Sequence, residues 1–223
     1  MRDYFRTWLE KTPPAAVSLF PRLLCRAIAE GNRLYLTFDD GPHPEYTPPV
    51  LDLLEDLGIR ATFFLIGRRA ERHPDLVRRI AERHGIANHT WDHLNLRWQN
   101  ASVFAQQLEP TRILLETLAA KPVQFFRPPY GAFGPALVRY ARQHGHQIVL
   151  WEVLPWDFVP QRTTEQISNA ILRHAAPGSI IVLHDGHRCV SKTLPALRFG
   201  IPILLERGFV FDVLPAWDVI NQH

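Results

Sequence analysis

Two adjacent carboxylates, Asp39 and Asp40, end a short apolar run and are followed by Gly41-Pro42. Asp and Gly are ordinary turn formers, so this pair alone demands no chemistry. Two histidines four residues apart, His89 and His93, raise the stakes. If their segment is helical, both imidazoles share a face and can meet one ion. With Asp40 they make a set of two imidazoles and a carboxylate. Such a set suits a divalent transition metal and leaves coordination positions open. Zn²⁺ is the default expectation, with Co²⁺ and Ni²⁺ fitting the same donors. Asp39 then remains a free carboxylate beside the ion, able to take a proton from an attacking water.

Three later segments could complete such a site. Arg127 could pair with Asp39 and hold its orientation, although a structural ion pair is an equally ordinary use of Arg. After it, Pro128 and Pro129 have no N–H to give, whereas the Tyr130 N–H could stabilise a developing oxyanion. A rigid turn is the plainer reading of that loop. His184 precedes Asp185-Gly186, and an imidazole titrates in the range needed to protonate a leaving amine. Trp151, Trp156 and Phe158 are either core or the wall of a pocket that stacks on a sugar ring.

The elements that must position these residues alternate regularly. Apolar runs at 34–38, 60–66, 86–88, 123–126, 147–151, 179–183 and 209–214 read as strands. Between them lie amphipathic helices. One starts at Thr47-Pro48 with Thr47 as cap, one at His73-Pro74, and one spans 101–120 with a break or kink at Pro110. Others begin at Pro135, at Thr163 with Gln166 as its capping-box partner, and near 192. Strands without strict alternation, separated by helices, imply a parallel sheet covered on both faces. Asp39, Asp40, His89, Arg127, Asp157 and His184 each fall just after a strand's carboxyl end. In a β/α barrel those ends share one face, which carries the active site.

The totals agree with one catalytic-size unit. The chain has 223 residues, 46% of them hydrophobic, which excludes a disordered chain. The formal charge is only +3, and the cationic residues, mostly arginine, are scattered, so no nucleic-acid face is expected. Two cysteines, Cys25 and Cys189, are too few for a disulfide scaffold. Residues 1–32 read as an N-terminal extension, helical and packed on the barrel, with an amphipathic helix expected over 15–29 and a membrane-surface role for it as the minority alternative. Residues 33–223 form the expected catalytic domain. No signal peptide or membrane span is read, so a cytoplasmic location is the expectation.

Four motifs together resemble one family. Thr-Phe-Asp-Asp-Gly-Pro (37–42), His-Thr-x-x-His (89–93), Arg-Pro-Pro-Tyr-Gly (127–131) and Val-Leu-His (182–184) are similar, in order and spacing, to the polysaccharide deacetylases, carbohydrate esterase family 4. The likeness spans roughly residues 33–214. It implies a distorted, TIM-barrel-like (β/α)7 barrel of parallel strands. It also implies metal-dependent removal of N-acetyl groups from an amino-sugar polymer or oligomer, chitin-like or peptidoglycan-like, with release of acetate. It assigns Asp39 as base, Asp40, His89 and His93 as metal ligands, and His184 as acid. Tyr130 would supply the oxyanion contact, Arg127 would orient Asp39, and Asp157 would tune His184. Pro128, Trp156 and Leu183 are expected on the substrate side. The family's usual Asp-x-x-Asp-Trp is changed here: Leu154 stands at the first Asp and Phe158 at the Trp. An O-acetyl esterase on xylan or another glycan, a hydrolase of a non-sugar amide, and a non-catalytic glycan-binding module are the alternatives.

Overall fold

The computed structural model describes residues 10–12, 23–27 and 31–215. Leu34 to Asp39 are all buried, as a strand covered on both faces requires. Among the described residues there are seven strands: β1 (Arg33–Asp39), β2 (Thr62–Leu65), β3 (Gly85–Asn88), β4 (Phe125–Phe126), β5 (Gln147–Ile148), β6 (Ile180–His184) and β7 (Val210–Phe211). The helices are α1 (Thr47–Asp56), α2 (Gly67–Arg72), α3 (Pro74–Arg83), α4 (Ala101–Ala119), α5 (Pro135–Gln143), α6 (Thr164–His174) and α7 (Val190–Glu206).

All pairings between these strands are parallel, in the order β5-β4-β3-β2-β1-β6. Past β5 the chain reaches β6 through a parallel bridge, Val153 to Ile181, with the Val182 N–H donating to the Val153 carbonyl at 3.0 Å. That contact curls the sheet round on itself. Strand β7 pairs only with Arg33–Leu34 at the amino end of β1, so that β6 rather than β7 lies along β1.

The register aligns the strand ends. Asp39 stands opposite Phe64 on β2 and His184 on β6, and Asn88 stands opposite Phe126. Side chains then sort by the two-residue period of a strand. Leu34, Leu36 and Phe38 join Phe63, Leu65, Ile181 and Leu183 in the core cluster shared with Leu53, Leu54, Ile80 and Leu197 of the helices. Tyr35, Phe64 and Ile180 belong to a separate inner cluster with Ala87 and Val149.

Local expectations were met unevenly. The capping box at Thr163 and Gln166 forms, with N···O distances of 3.1 and 3.2 Å. Thr47 is not a cap but the first residue of α1, and its hydroxyl donates to Asp185 Oδ2 at 2.5 Å. Helix α4 continues through Pro110. Within the expected 15–29 helix, residues 23–27 are extended instead: Leu24 bridges Val149 and Arg26 bridges Ser179. Their amide groups satisfy the exposed backbone of two neighbouring strands, which outweighs the helical spacing. The rest of that segment lies outside the described residues. Cys25 and Cys189 are both buried and unpaired with each other.

Candidate active site

The β1 end is held from below and from the side. Asp39 is 4% exposed, and Arg127 Nη1 donates to its Oδ1 at 2.5 Å. The same nitrogen reaches Thr37 Oγ1 at 3.0 Å, and Nη2 donates to the Leu150 carbonyl at 2.8 Å. The guanidinium carbon lies 3.9 Å from the centroid of Phe64. Burial pushes the Arg127 pKa down, and the Asp39 charge opposes that shift. A fully enclosed Arg held at four points fixes one rotamer of its carboxylate partner.

Asp40 has a backbone φ of 73°, a left-handed conformation that Asp tolerates better than most residues. Its Oδ1 faces His93 Nε2 at 3.1 Å and His89 Nε2 at 3.4 Å. Ligand atoms of the three residues all lie within 4.8 Å of one another. His89 Nδ1 is 2.8 Å from the Arg127 carbonyl, so it carries the proton and donates there. Nε2 then turns a lone pair toward a carboxylate oxygen. Asp40 Oδ1 is buried and has no aligned hydrogen bond. Lone pairs converging on an orphan anionic oxygen fit a cation between them, with the outer imidazole N–H anchored as metal-bound histidines usually are.

The histidine pair does not lie on a helix. Residues 89–93 form a loop in which Thr90 and His93 have φ of 68° and 59°. Two left-handed residues bend the chain back, and the rings meet at a centroid distance of 5.0 Å. Asn88 Oδ1 accepts from the Thr90 N–H at 2.8 Å. Gln107 on α4 grips Asp92 twice, accepting from its N–H at 2.9 Å and donating to its carboxylate at 3.1 Å. These side-chain contacts replace the helical ladder.

Across the barrel mouth, His184 Nδ1 donates to Asp157 Oδ1 at 2.8 Å, and the His184 N–H donates to Oδ2 at 2.9 Å. Thr193 Oγ1 donates to the same Oδ2 at 3.0 Å, with Cys189 Sγ at 3.7 Å. Burial disfavours a charged His184, yet the Asp157 carboxylate wins and pushes its pKa up to about 9. Burial likewise raises Asp157, but the His184 charge and these donors bring it below its ordinary value. Asp157 thus keeps several partners although Leu154 stands at the family's first Asp; Leu154 itself lines the cavity.

A cavity of about 510 Å³ collects these groups: Asp39, Asp40, His89, His93, Tyr130 and His184 open into it, walled by Trp151, Trp156 and Phe158. Tyr130 sits on a 3₁₀ turn (Pro129–Gly131) with φ of 62°, its ring packed edge-on to His93 at 4.8 Å. Two expected wall residues are absent from the lining. Leu183 points to the outer core, because the strand period gives the cavity Val182 and His184. Pro128 is buried behind the turn, where its carbonyl accepts from the Gly131 N–H at 3.0 Å. Four contributors escaped the sequence reading. Arg69 Nη1 donates to the carbonyls of both Asp40 and Gly186 at 2.7 Å. Gln107 grips the histidine loop, and His187 lines the cavity. Asp185 is fully buried against Thr47, and burial pushes its pKa up to about 7. Only His187 had a readable signal, a further histidine three residues after His184.

A parallel α/β barrel gathers on one mouth a two-histidine, one-carboxylate set, a clamped free carboxylate and a carboxylate-backed histidine, the kinds of group that metal-assisted hydrolysis uses. The sequence profile of the family described as Polysaccharide deacetylase matches residues 27–149, and the chain belongs to that family. The enzyme is accordingly a deacetylase. A chitooligosaccharide deacetylase of Azorhizobium caulinodans is 39% identical over 199 residues, covering 82% of this chain and 93% of the relative. The solved Bc1960 peptidoglycan N-acetylglucosamine deacetylase, in complex with 4-naphthalen-1-yl-N-oxidanyl-benzamide, superposes with a TM-score of 0.84 at 34% identity, covering 92% of this chain and 95% of that one. A family 4 acetyl xylan esterase from Clostridium thermocellum, in complex with a cobalt ion, gives a TM-score of 0.77 at 30% identity, covering 82% and 88%.

Proposed function

We propose that the protein hydrolyses the N-acetyl group of an amino-sugar oligomer or polymer, with a divalent ion, Zn²⁺ foremost, held by Asp40, His89 and His93. The observation that carries this reading is the convergence of that set, Asp39 and His184 on one cavity. When bound, the ion would polarise the acetamide carbonyl and acidify a water beside it. Asp39, oriented by Arg127, takes the proton from the attacking water. The Tyr130 N–H donates to the oxygen that becomes negative in the tetrahedral state. His184, its Nδ1–H fixed by Asp157, gives the proton from Nε2 to the departing amine. An amide nitrogen leaves poorly unless protonated, so a histidine kept cationic by its partner suits an amide better than an ester. Trp151, Trp156 and Phe158 offer apolar faces of the kind sugar rings stack on.

Acetate release is the direct test. Metal-stripped protein is resupplied with Zn²⁺, Co²⁺ or Ni²⁺ and given chitooligosaccharides, peptidoglycan and acetylated xylan. Faster release from the N-acetylated substrates supports the reading. Release from xylan esters alone, or none with any ion, overturns it.

A further inference from the structure

His187 belongs to none of the four motifs, yet it faces the same cavity from the turn between β6 and α7. Its Nε2 lies 3.6 Å from Asp40 Oδ2. The other oxygen of that carboxylate, Oδ1, faces His93 and His89. The carboxylate is therefore divided: one oxygen toward two ligand-type imidazoles, the other toward a third.

The backbone enforces this placement. A Cβ added at Gly186 would stand 2.4 Å from both Cβ and the carbonyl oxygen of Asp40, so only glycine permits the approach. Arg69 ties the Asp40 and Gly186 carbonyls together through one nitrogen. The Asp185 N–H donates to the Asp39 carbonyl at 3.1 Å. The turn bearing Asp40 and the turn bearing His187 are thus tied together at several points. The imidazole is 39% exposed, and a shift of about half an ångström brings its Nε2–H within hydrogen-bond reach of Oδ2.

We propose that His187 is the outer partner of Asp40, a positioning residue that holds Oδ2 and leaves Oδ1 as the oxygen offered to the metal. This rests on the metal reading of Asp40, His89 and His93 given above. A carboxylate restrained in this way binds through one oxygen and leaves a position open for water and substrate. A carboxylate free to rotate can chelate through both and fill that position. Outer partners of metal-bound side chains typically change affinity about 10–100-fold.

The test compares full-length wild type, His187→Ala and His187→Gln, whose amide N–H can reach the place of Nε2. Zinc affinity is measured by chelator competition, coordination by the absorption spectrum of the cobalt-loaded protein, and folding by the melting temperature of the metal-free protein. The proposal expects His187→Ala to bind zinc about 10–100-fold more weakly. Its cobalt spectrum should be altered and its metal-free melting temperature unchanged, with most of the loss recovered in His187→Gln. Wild-type zinc affinity and cobalt spectrum in His187→Ala overturn it, even if KM rises, because the residue would then be a substrate contact. Failure of the wild type to bind zinc would overturn the underlying metal reading as well, a result distinct from a loss confined to the variant.

Discussion

At the scale of single residues, the site is a set of charges separated by what surrounds each one. Asp39 is committed to a buried guanidinium and Asp40 to two imidazoles, although the two acids are neighbours in the chain. His184 is the clearest case for titration. Its folded-state pKa of about 9 lies above the ordinary 6.5. Its pairing with Asp157 therefore stabilises the fold fully below pH 6.5 and fades as pH rises through 9. If the cationic form is the proton donor, kcat should fall on the alkaline side near pH 9. Asp157→Asn should move that limb to lower pH, since the largest influence opposing burial is then gone and only the more distant Asp40 and Asp39 charges remain; a pH–rate profile checks this, and an unmoved limb speaks against the pairing. The types and order of these residues were legible from sequence because strand-end chemistry needs particular side chains. Which side a residue faces was less so. Leu183 shares a motif with His184 but turns into the core, and His187, outside any motif, reaches the cavity.

At the scale of elements, the histidine loop shows why spacing misleads. Four residues apart suggested one helical face, but β3 ends at Asn88 and the rings converge through two left-handed residues. That geometry depends on contacts with distant chain, Gln107 on α4 and the amino end of α2, which no local pattern announces. The short helix α2 was itself missed, because Gly67–Arg72 carries only Gly67 and Ala70 on its buried side and so has no apolar stripe. Gly67 packs tightly under the loop: a Cβ there would lie 2.5 Å from the Trp91 ring and 2.6 Å from Thr111 Oγ1. Gly67→Ala should therefore displace Trp91 and the loop that carries His93. The expected cost is about 1–3 kcal/mol of stability, as for other overpacked sites, together with weaker zinc binding. Calorimetry and a zinc titration measure both; unchanged affinity would show that the loop does not depend on this packing.

At the scale of the whole molecule, the sequence pattern was most informative. Alternating apolar runs and helices predicted parallel strands, and their ends do gather the candidate residues on one mouth. The pattern could not show that β7 pairs only with the foot of β1, since pairing partners are set by closure of the sheet. Nor could it show that residues 23–27 run as extended backbone against Val149 and Ser179. The metal reading links the barrel as a whole to one ion, because its three ligands come from the β1 turn and the loop after β3. Zinc at about 100 times its Kd should add ~2.7 kcal/mol to stability. For a chain of this size that is a rise of about 5–10 °C in Tm. A chelator should reverse it, and His89→Ala should abolish it; an equal rise in His89→Ala would place the ion elsewhere. The central claim is the division of labour between the adjacent acids, one holding the ion and the other moving the proton. It is tested most directly by Asp39→Asn, with zinc content and acetate release measured on the same preparation. Zinc should be retained at the wild-type level, with turnover reduced by roughly 10²–10⁴-fold. Turnover near that of the wild type would contradict it.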